Sequence, residues 1–434
     1  MKKILALVLC CLLLTGCQGI TFSVEDLLTS PVIADEQTSI FQALTQGIGK
    51  SITLQYPYSG DYRSAIVLED IDGSEGQEAL AFYSEALNES VTGVAVLDKQ
   101  NDGEWKLETT VTGVGTAIDR VIIHPIGQTV DIIIGYRTSA LDESQVRMYR
   151  YINGNLATIY ENTYTVLEKY DIDGCGVDEI VLARKAGDYV TVSVIKSFDG
   201  VNYIPYELLL THPVTSIAEH NFGKISESNS ALYLDLLNEG GALSTEIIYL
   251  YDEGISSPTN TVLGMREYTR RPSGYLCLDY DGDGVVEVPV VSNFTGYPAG
   301  IGTSNEYMTM WHTFNSQSSM LELKSNSYYS LTGGFVLTIP NRWLGLVTVK
   351  TNSETGEATF YKYDTEIASI DEMHPIMSIV STYDQDAGKY SEEDGYRLVA
   401  QTERRQYFVK TMAQDGEQLV LTNDEILDNL YCLD

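Results

Sequence analysis

The sequence has few of the residues that nucleic-acid interfaces and common enzyme sites require. Lysine and arginine together number 27, against 61 aspartates and glutamates, so the formal charge is −34. A surface of that sign repels nucleic acid and anionic lipid headgroups. The chain has only five histidines, which are His124, His212, His220, His312 and His374. No two of them stand at metal-ligand spacing on a helix, and the His-Glu-x-x-His motif is missing.

Other catalytic signatures are missing as well. The chain has no Gly-x-Ser-x-Gly nucleophile elbow, no phosphate-binding loop and no dinucleotide fingerprint. Glycoside hydrolases use a pair of carboxylates, but with 61 acidic residues no pair is singled out by the sequence. We therefore predict no catalytic residue and favour a binding role over an enzymatic one.

Cysteine is too sparse for a disulfide framework. Of the six cysteines, Cys10 and Cys11 lie in an apolar run at the amino terminus. With Cys17 modified, as argued below, three remain, and they are Cys175, Cys277 and Cys432. Three thiols cannot all pair within one chain. Stability is expected instead from hydrophobic cores, since 44% of the 434 residues are hydrophobic and two domains are expected at this length.

The first residues have the pattern of an export signal. Met1-Lys2-Lys3 precedes a wholly apolar run over residues 4–14, and Thr15-Gly16-Cys17 follows. The run is shorter than the roughly 20 residues that span a bilayer, which is typical of a secretory signal peptide. Leu14-Thr-Gly-Cys17 resembles a bacterial lipobox.

That resemblance implies cleavage after residues 1–16, lipid on the Cys17 thiol, and anchorage on the extracytoplasmic face of the cell membrane. Loss of Lys2 and Lys3 with the signal would change the charge from −34 to −36. The alternative is an ordinary signal cut near Gly19, which would release a soluble protein. Residues 17–60 are predicted to form a lipidated tether and a helical segment, with one helix from Asp35 to about Ile48 because its apolar residues share a helical face.

One acidic phrase occurs three times, at intervals of 101 and 108 residues. Its copies are Asp70-Ile-Asp-Gly-Ser-Glu-Gly-Gln-Glu78, Asp171-Ile-Asp-Gly-Cys-Gly-Val-Asp-Glu179 and Asp279-Tyr-Asp-Gly-Asp-Gly-Val-Val-Glu287. Each copy lies between two apolar, strand-like runs and places oxygen-bearing side chains at alternate positions. Calcium takes six to eight hard oxygen ligands, which such a loop can supply.

The predicted calcium ligands are Asp70, Asp72, Ser74 and Glu78 in the first loop, Asp171, Asp173 and Glu179 in the second, and Asp279, Asp281, Asp283 and Glu287 in the third. The third loop fits best, and the second is weakened because Cys175 stands where an oxygen is needed. The alternative is that Asp-x-Asp-Gly forms only an Asx-type turn.

A second short motif lies between the copies of the acidic motif and predicts β-hairpins. Its copies are Asp102-Gly103, Asn153-Gly154, Asp199-Gly200 and Glu253-Gly254. Such dipeptides between alternating runs favour a tight hairpin, because both turn positions need positive φ. One period of about 50 residues therefore holds four antiparallel strands, which is the content of one propeller blade. Residues 61–325 are predicted to form five recognisable blades, and the total could reach six or seven.

The acidic loops resemble those of FG-GAP and VCBS repeats, although the Phe-Gly and Gly-Ala-Pro signatures of the first family are missing. The layout also resembles clostridial-type lipoproteins that contain such repeats. The resemblance implies a mainly β protein, a rigid extracellular β-propeller whose structural ions hold the fold.

Residues 326–434 have a different pattern, in which strands and helices alternate. Helices are expected at 369–373 and 392–399, and Thr422-Asn-Asp-Glu425 is a capping box that opens a last helix. We predict a small C-terminal α+β module, with the alternative that these strands supply the sixth and seventh blades.

These features predict a membrane-anchored binding or scaffold protein whose partner, a protein or a glycan, the sequence does not name. The alternative is an envelope polysaccharide hydrolase or lyase with a carboxylate pair at the propeller axis. Thirty tyrosines suit either contact with sugars and protein partners or half-exposed strands. Trp311 and the glycine-rich segment 294–302 are the predicted rim contact.

The lipobox gives the first testable prediction. Mass spectrometry of the mature protein from its native membrane should show Cys17 as the first residue, with a diacylglycerol on its thiol. An unmodified Cys17, or an amino terminus that still includes residues 1–16, would contradict it.

Overall fold

The computed structural model describes residues 35–433, apart from 75, 87, 140–142, 198, 252–253, 263, 301–305 and 413–417. The predicted signal, the tether before residue 35 and Cys17 lie outside the described residues. The chain divides into two compact units. Among the described residues, the first unit contains 35–56, 64–70 and 74–113, and the second contains 57–63, 71–73 and 114–433.

The described residues form six antiparallel sheets with few helices. Sheet 1 contains β1 (Ile52–Leu54), β2 (Ile66–Glu69), β3 (Glu78–Glu85), β4 (Asn88–Lys99) and β5 (Trp105–Thr112). Sheet 2 contains β6 (Ala117–Ile126), β7 (Thr129–Arg137), β8 (Ser144–Ile152) and β9 (Asn155–Tyr164). Sheet 3 contains β10 (Val166–Tyr170), β11 (Glu179–Ala186), β12 (Tyr189–Ser197) and β13 (Tyr203–Leu209).

Sheet 4 contains β14 (Ser216–Lys224), β15 (Ser230–Leu237), β16 (Ala242–Tyr251), β17 (Gly254–Ser256) and β18 (Arg271–Pro272). Sheet 5 contains β19 (Val288–Asn293), β20 (Tyr307–Asn315), β21 (Met320–Ser330), β22 (Phe335–Thr338) and β28 (Leu430–Cys432). Sheet 6 contains β23 (Val347–Thr351), β24 (Ala358–Lys362), β25 (His374–Tyr383), β26 (Arg397–Gln401) and β27 (Arg405–Thr411).

The α-helices are α1 (Asp35–Ile48), α2 (Pro258–Thr261), α3 (Met265–Tyr268) and α4 (Asn423–Asn429). Short 3₁₀ helices span Asn341–Trp343, Ile370–Glu372 and Asp384–Lys389. No helix among the described residues combines the length and apolar character needed to cross a membrane.

The first unit is sheet 1 with α1 packed on it. Ile40 and Leu44 lie one turn apart on the helix and are fully buried. They share a core with Ala79, Ala95 and Leu97 of the sheet. The predicted helix over 35–48 is confirmed, and its apolar stripe is what holds it on the sheet.

In the second unit, each apolar core lies between two sheets that follow each other in the chain. Ile133 of sheet 2 packs with Ile180 of sheet 3, and Val192 of sheet 3 packs with Leu234 of sheet 4. Further cores join sheet 4 to sheet 5 and sheet 5 to sheet 6. Strands buried on both faces read as continuous apolar runs, which explains the sequence pattern of β7 and β15.

Turn chemistry sets the registers of the hairpins. Asn153 and Gly154 have φ of 49° and 76° and join β8 to β9 as a two-residue loop. Both values lie in the left-handed region, as the tight hairpin turn requires. The predicted strand order within each repeat is therefore confirmed in sheets 2 and 3, where four consecutive strands pair in sequence order.

Buried ion pairs connect neighbouring strands and sheets. Arg150 on β8 donates two hydrogen bonds to Asp131 on β7, at 2.6 and 2.7 Å, and a third to the carbonyl of Val201 in the loop between β12 and β13. Arg271, fully buried, contacts Asp235 at 2.6 Å. Removing one partner of such a pair leaves the other charge buried and uncompensated, which lowers the free energy of unfolding by about 3–5 kcal/mol.

The C-terminal region differs in part from the prediction. The helix expected at 392–399 is wrong, because residues from Arg397 onward form β26, which pairs with β27. At 369–373 the helix is a short 3₁₀ turn. The capping box is confirmed, since the side chains of Thr422 and Glu425 each accept a hydrogen bond from the other's backbone amide.

The predicted boundary between residues 325 and 326 falls inside β21. Beyond it, β22 and β28 belong to the same sheet as β19 and β20. Strands on both sides of the boundary thus share sheet 5, as the alternative of further blades would require. The three described cysteines, Cys175, Cys277 and Cys432, are free thiols.

His124 gives a test of the packing between sheets 2 and 3, because the centre of its ring lies 6.4 Å from that of Tyr203 on β13. Its side chain is 2% exposed on β6, and burial lowers the pKa of His124 to about 4 from 6.5. Because the unfolded chain takes up the proton first, the free energy of unfolding should fall by about 3 kcal/mol as the pH drops from about 6.5 to 4.

Denaturant unfolding at several pH values should show a smaller fall for His124→Gln than for the unaltered protein over that range. Carboxylates titrate in both proteins, so the difference between the two curves isolates the histidine. If the free energy of unfolding of the two proteins changes identically with pH, the lowered pKa of His124 is contradicted.

Candidate functional site

The three acidic loops occupy the same place in their sheets. They belong to sheets 1, 3 and 5, so alternate sheets have one. In each, the residue before the first aspartate pairs with the ninth-position glutamate: Glu69 with Glu78, Tyr170 with Glu179, and Leu278 with Glu287. The repeat inferred from the sequence thus corresponds to one repeated local structure.

In the third loop, the first aspartate binds the backbone of its own loop. Asp279 accepts hydrogen bonds from the amides of Gly282, Asp283 and Gly284, at 2.7, 3.1 and 2.8 Å. In the second loop Asp171 accepts the amide of Gly176 at 2.9 Å. These contacts are the Asx-type turn that the sequence allowed as an alternative.

The ninth-position glutamate ties the two ends of the loop together. One oxygen of Glu179 accepts the amide of Ile172 at 3.0 Å, and one of Glu287 accepts the amide of Tyr280 at 3.2 Å. Both side chains are 2% exposed or less. Burial raises the pKa of Glu179 and of Glu287 to about 7.

A lysine faces the other oxygen of each of these glutamates. The Lys324 ammonium lies 2.7 Å from Asp281, 2.8 Å from Asp283 and 2.6 Å from Glu287. Lys196 binds Asp173 and lies 3.9 Å from Glu179. Burial opposes the charge on Lys324, but its three carboxylate partners outweigh burial and raise the pKa of Lys324 above its usual value.

The donor sets can be compared with what calcium requires. Ligand oxygens of Asp279, Asp281 and Glu287 lie within 4.8 Å of one another, as do ligand atoms of Asp171, Asp173 and Cys175, so each cluster could hold a metal ion. However, a divalent ion about 4 Å from an ammonium is opposed by about 8 kcal/mol at an effective dielectric constant of about 20. With Lys324 on the same oxygens, the third loop is a poor fit for calcium.

Two carboxylate oxygens in these loops are buried without a hydrogen-bond partner among the described residues, one on Asp171 and one on Asp281. Such an oxygen costs free energy unless a cation or a water satisfies it. Cys175, at the fifth position of the second loop, is exposed and offers sulfur, which calcium disfavours.

The first loop has a different neighbour. Ligand oxygens of Asp70, Asp72 and Glu78 lie within 4.8 Å of one another, and Ser74 is exposed beside them. On the adjacent strand Leu97 pairs with Ala79, so the next residue, Asp98, stands opposite Glu78. In sheet 3 the equivalent place, opposite Glu179, belongs to Lys196.

The second and third loops are both packed against the turn between β14 and β15 of sheet 4. The amide of Ser230 donates to the carbonyl of Ile172 at 2.9 Å, and the amide of Lys224 donates to the carbonyl of Gly284 at 3.0 Å. One sheet-4 turn is therefore held between the acidic loops of its two neighbours.

A separate feature is a cleft of about 770 Å³ at one end of sheets 5 and 6. Its wall contains five tyrosines, which are Tyr275, Tyr328, Tyr329, Tyr383 and Tyr390. Serine and threonine hydroxyls of residues 330–332, 351–355 and 381–382 stand among them. A cleft that combines aromatic faces with hydroxyl groups suits a polyhydroxylated ligand.

Arg405 fixes the outermost of these tyrosines. Tyr383 is 51% exposed, and the Arg405 guanidinium lies 4.6 Å from its ring centre. The same guanidinium donates to the Tyr383 hydroxyl at 3.1 Å and to the carbonyl of Thr332 at 3.0 Å. The ring is therefore exposed yet held in position, as a binding platform requires.

The cleft lining includes one buried carboxylate. Glu306 is 8% exposed and accepts hydrogen bonds from the amide and the hydroxyl of Thr351, at 2.7 and 3.0 Å. Burial raises the pKa of Glu306. A carboxyl group with a raised pKa keeps its proton to a higher pH than usual, which favours proton donation.

The sequence did not point to these residues, and one of its predictions is wrong. Trp311 is fully buried, with its indole N–H donating to Ser327 at 2.7 Å and its ring 5.0 Å from that of Tyr280, so it is not a rim contact. Residues 301 and 302 of the glycine-rich segment lie outside the described residues. Lys196 could have been found by counting from the Gly187-Asp188 turn, which places it opposite Glu179.

No family model matches this chain, and no curated protein matches it. Three solved structures are distant likenesses of this chain. An exotype rhamnogalacturonan lyase, YesX, is 14% identical with a TM-score of 0.26, over 72% of this chain and 62% of that chain. This chain thus spans less than two thirds of that protein.

An exo-beta-1,3-galactanase from Phanerochaete chrysosporium is 11% identical over 76% of this chain and 80% of that one, with a TM-score of 0.24. The CNH domain of AfRom2 is 10% identical over 73% and 96%, also with a TM-score of 0.24. Likenesses this weak do not bear on function.

The contact between the second loop and sheet 4 can be tested with two glycines. A Cβ at Gly174 would lie 1.6 Å from the carbonyl oxygen of Ser228, whereas one at Gly176 would have no atom within 4 Å. Both have positive φ, so both alanines are strained by about 1–2 kcal/mol. Gly174→Ala should lose about 1–3 kcal/mol more because the turn is displaced.

Denaturant unfolding of Gly174→Ala and Gly176→Ala measures that difference directly, since the second variant controls for backbone strain. Equal losses of stability in the two variants would show that the loop does not pack tightly on the turn of residues 226–229.

Proposed function

We propose that this protein is a lipid-anchored binding protein on the extracytoplasmic face of the cell membrane, and that the cleft at the end of sheets 5 and 6 binds a glycan. The anchor would be the lipid on Cys17. The glycan is supported by one observation above the others, namely an exposed tyrosine ring held by Arg405 at the mouth of a cleft lined with hydroxyl groups.

The proposed architecture is a β-propeller of VCBS-like repeats. Its support is that antiparallel sheets follow one another in the chain with an apolar core between each neighbouring pair from sheet 2 to sheet 6. Acidic loops at the same corner of alternate sheets agree with it. In this arrangement sheet 6 is a further blade, and the acidic corners stiffen the scaffold that presents the cleft.

Calcium is proposed for the first loop. Asp70, Asp72 and Glu78 would supply carboxylate oxygens and Ser74 a hydroxyl, with Asp98 opposite Glu78 adding negative charge. The ion would supply a rigid link between the two strand ends that the loop joins.

A polysaccharide hydrolase or lyase is the second candidate, and Glu306 is the observation that favours it. This carboxyl group lies in the cleft and has a pKa raised by burial, as a general acid requires. Against it, both oxygens of Glu306 already accept hydrogen bonds from Thr351.

The test uses purified protein on immobilised bacterial envelope polysaccharides. Tyr383→Ala should weaken binding of the polysaccharide by about tenfold, because the ring supplies a stacking face worth about 1 kcal/mol or more. Tyr383→Phe keeps the face and should bind nearly as well as the unaltered protein. Tyr251→Ala is the matched control, since that tyrosine is 66% exposed outside the cleft.

Equal binding by Tyr383→Ala and Tyr251→Ala would reject the cleft as the glycan site. Release of new reducing ends or unsaturated products from the polysaccharide, lost in Glu306→Gln, would favour the enzyme instead.

A further inference from the structure

Two lysines reach equivalent points in two acidic loops from different strands. Lys196 lies on β12, the strand next to the one that Glu179 begins. Lys324 lies on β21, one strand farther away, at a bulge where Trp311 pairs with Ser325 and His312 with Leu323. Each ammonium contacts the third-position aspartate, Asp173 or Asp281, and lies near the ninth-position glutamate.

The bulge explains how Lys324 reaches its place. It leaves Lys324 without an opposite residue, so the strand can turn this side chain toward the loop. The Lys324 side chain is 23% exposed, and its ammonium lies 5.5 Å from the centre of the Tyr280 ring, inside the loop it neutralises. Three carboxylates and a ring face then surround one positive charge, as a ligand set surrounds an ion.

We propose that Lys324 and Lys196 are built-in cations that take the place of a divalent ion in the third and second loops. An ammonium fixed to the chain supplies the positive charge that the carboxylates need, and it is present whatever the calcium concentration. The second and third acidic loops therefore fold without a metal ion.

The inference does not depend on the proposed glycan-binding function. It divides the acidic corners into two kinds, since calcium is proposed only for the first loop. If the lysines take the place of ions, removing the Lys324 charge should convert the third loop into a calcium site. Asp281, Asp283 and Glu287 would lose their ammonium partner, and ligand oxygens of Asp279, Asp281 and Glu287 already lie within 4.8 Å of one another.

The experiment measures the melting temperature in chelator and in millimolar calcium, in protein with the first loop disabled by Asp70→Asn. That parent should melt at the same temperature in both buffers. Adding Lys324→Gln should lower the melting temperature in chelator by about 5 °C, and calcium should restore most of the loss. Lys324→Arg keeps the charge and should not respond to calcium.

Asp281→Asn added to Lys324→Gln should abolish the calcium response, which locates the ion in the third loop. If Lys324→Gln does not fold in chelator, recovery of the folded protein on adding calcium supports the proposal and failure to recover overturns it. One further result would overturn the proposal. If calcium raises the melting temperature of the Asp70→Asn parent, and adding Asp281→Asn abolishes that rise, then the third loop binds calcium even with Lys324 present.

The proposal for the first loop fails separately. If the unaltered protein melts at the same temperature in chelator and in calcium, the first loop does not bind calcium. That result does not affect the comparison of the Lys324 variants.

Discussion

A buried carboxylate that needs a positive partner is the constraint on which the acidic corners depend. The ninth-position glutamate closes each loop, and in sheets 3 and 5 it is almost without exposure and bound to the second-position amide. An ionised carboxylate in such a place is costly unless a cation compensates it. Lys196, Lys324 or a bound ion can therefore each neutralise the buried glutamate of its loop. The loop sequence alone does not say which of them does so.

The corners matter because of what is packed against them. The second and third loops hold the β14–β15 turn of sheet 4 between them, through the amides of Ser230 and Lys224. Buried pairs such as Arg150–Asp131 extend the contact between sheets beyond their apolar cores. Charge compensation in the acidic loops thus supports the contacts that join sheets 3, 4 and 5.

Local signals in the sequence predicted local structure well. The helix over 35–48 and the Asn153-Gly154 hairpin follow from periodicity and from turn residues that tolerate positive φ. The prediction of a helix at 392–399 was wrong, because strand pairing with β27 overrides the weak helical pattern of the sequence. Lys324 could not be predicted, since the bulge beside Trp311 shifts the register by one residue. The sequence does not reveal the cleft either, because Glu306 and Arg405 are 99 residues apart and line one cleft only when sheets 5 and 6 pack together.

The pairing of β28 with β22 has a consequence for how the chain folds. All of sheet 6 lies between these two strands in sequence, so a chain synthesised from its amino end makes sheet 6 before sheet 5 is complete. Until then β22 presents an open edge of unpaired backbone groups, a template on which another chain could add a strand. A nascent molecule would therefore keep this edge open until residues 430–432 have been made, and a variant without these residues would keep it open after folding.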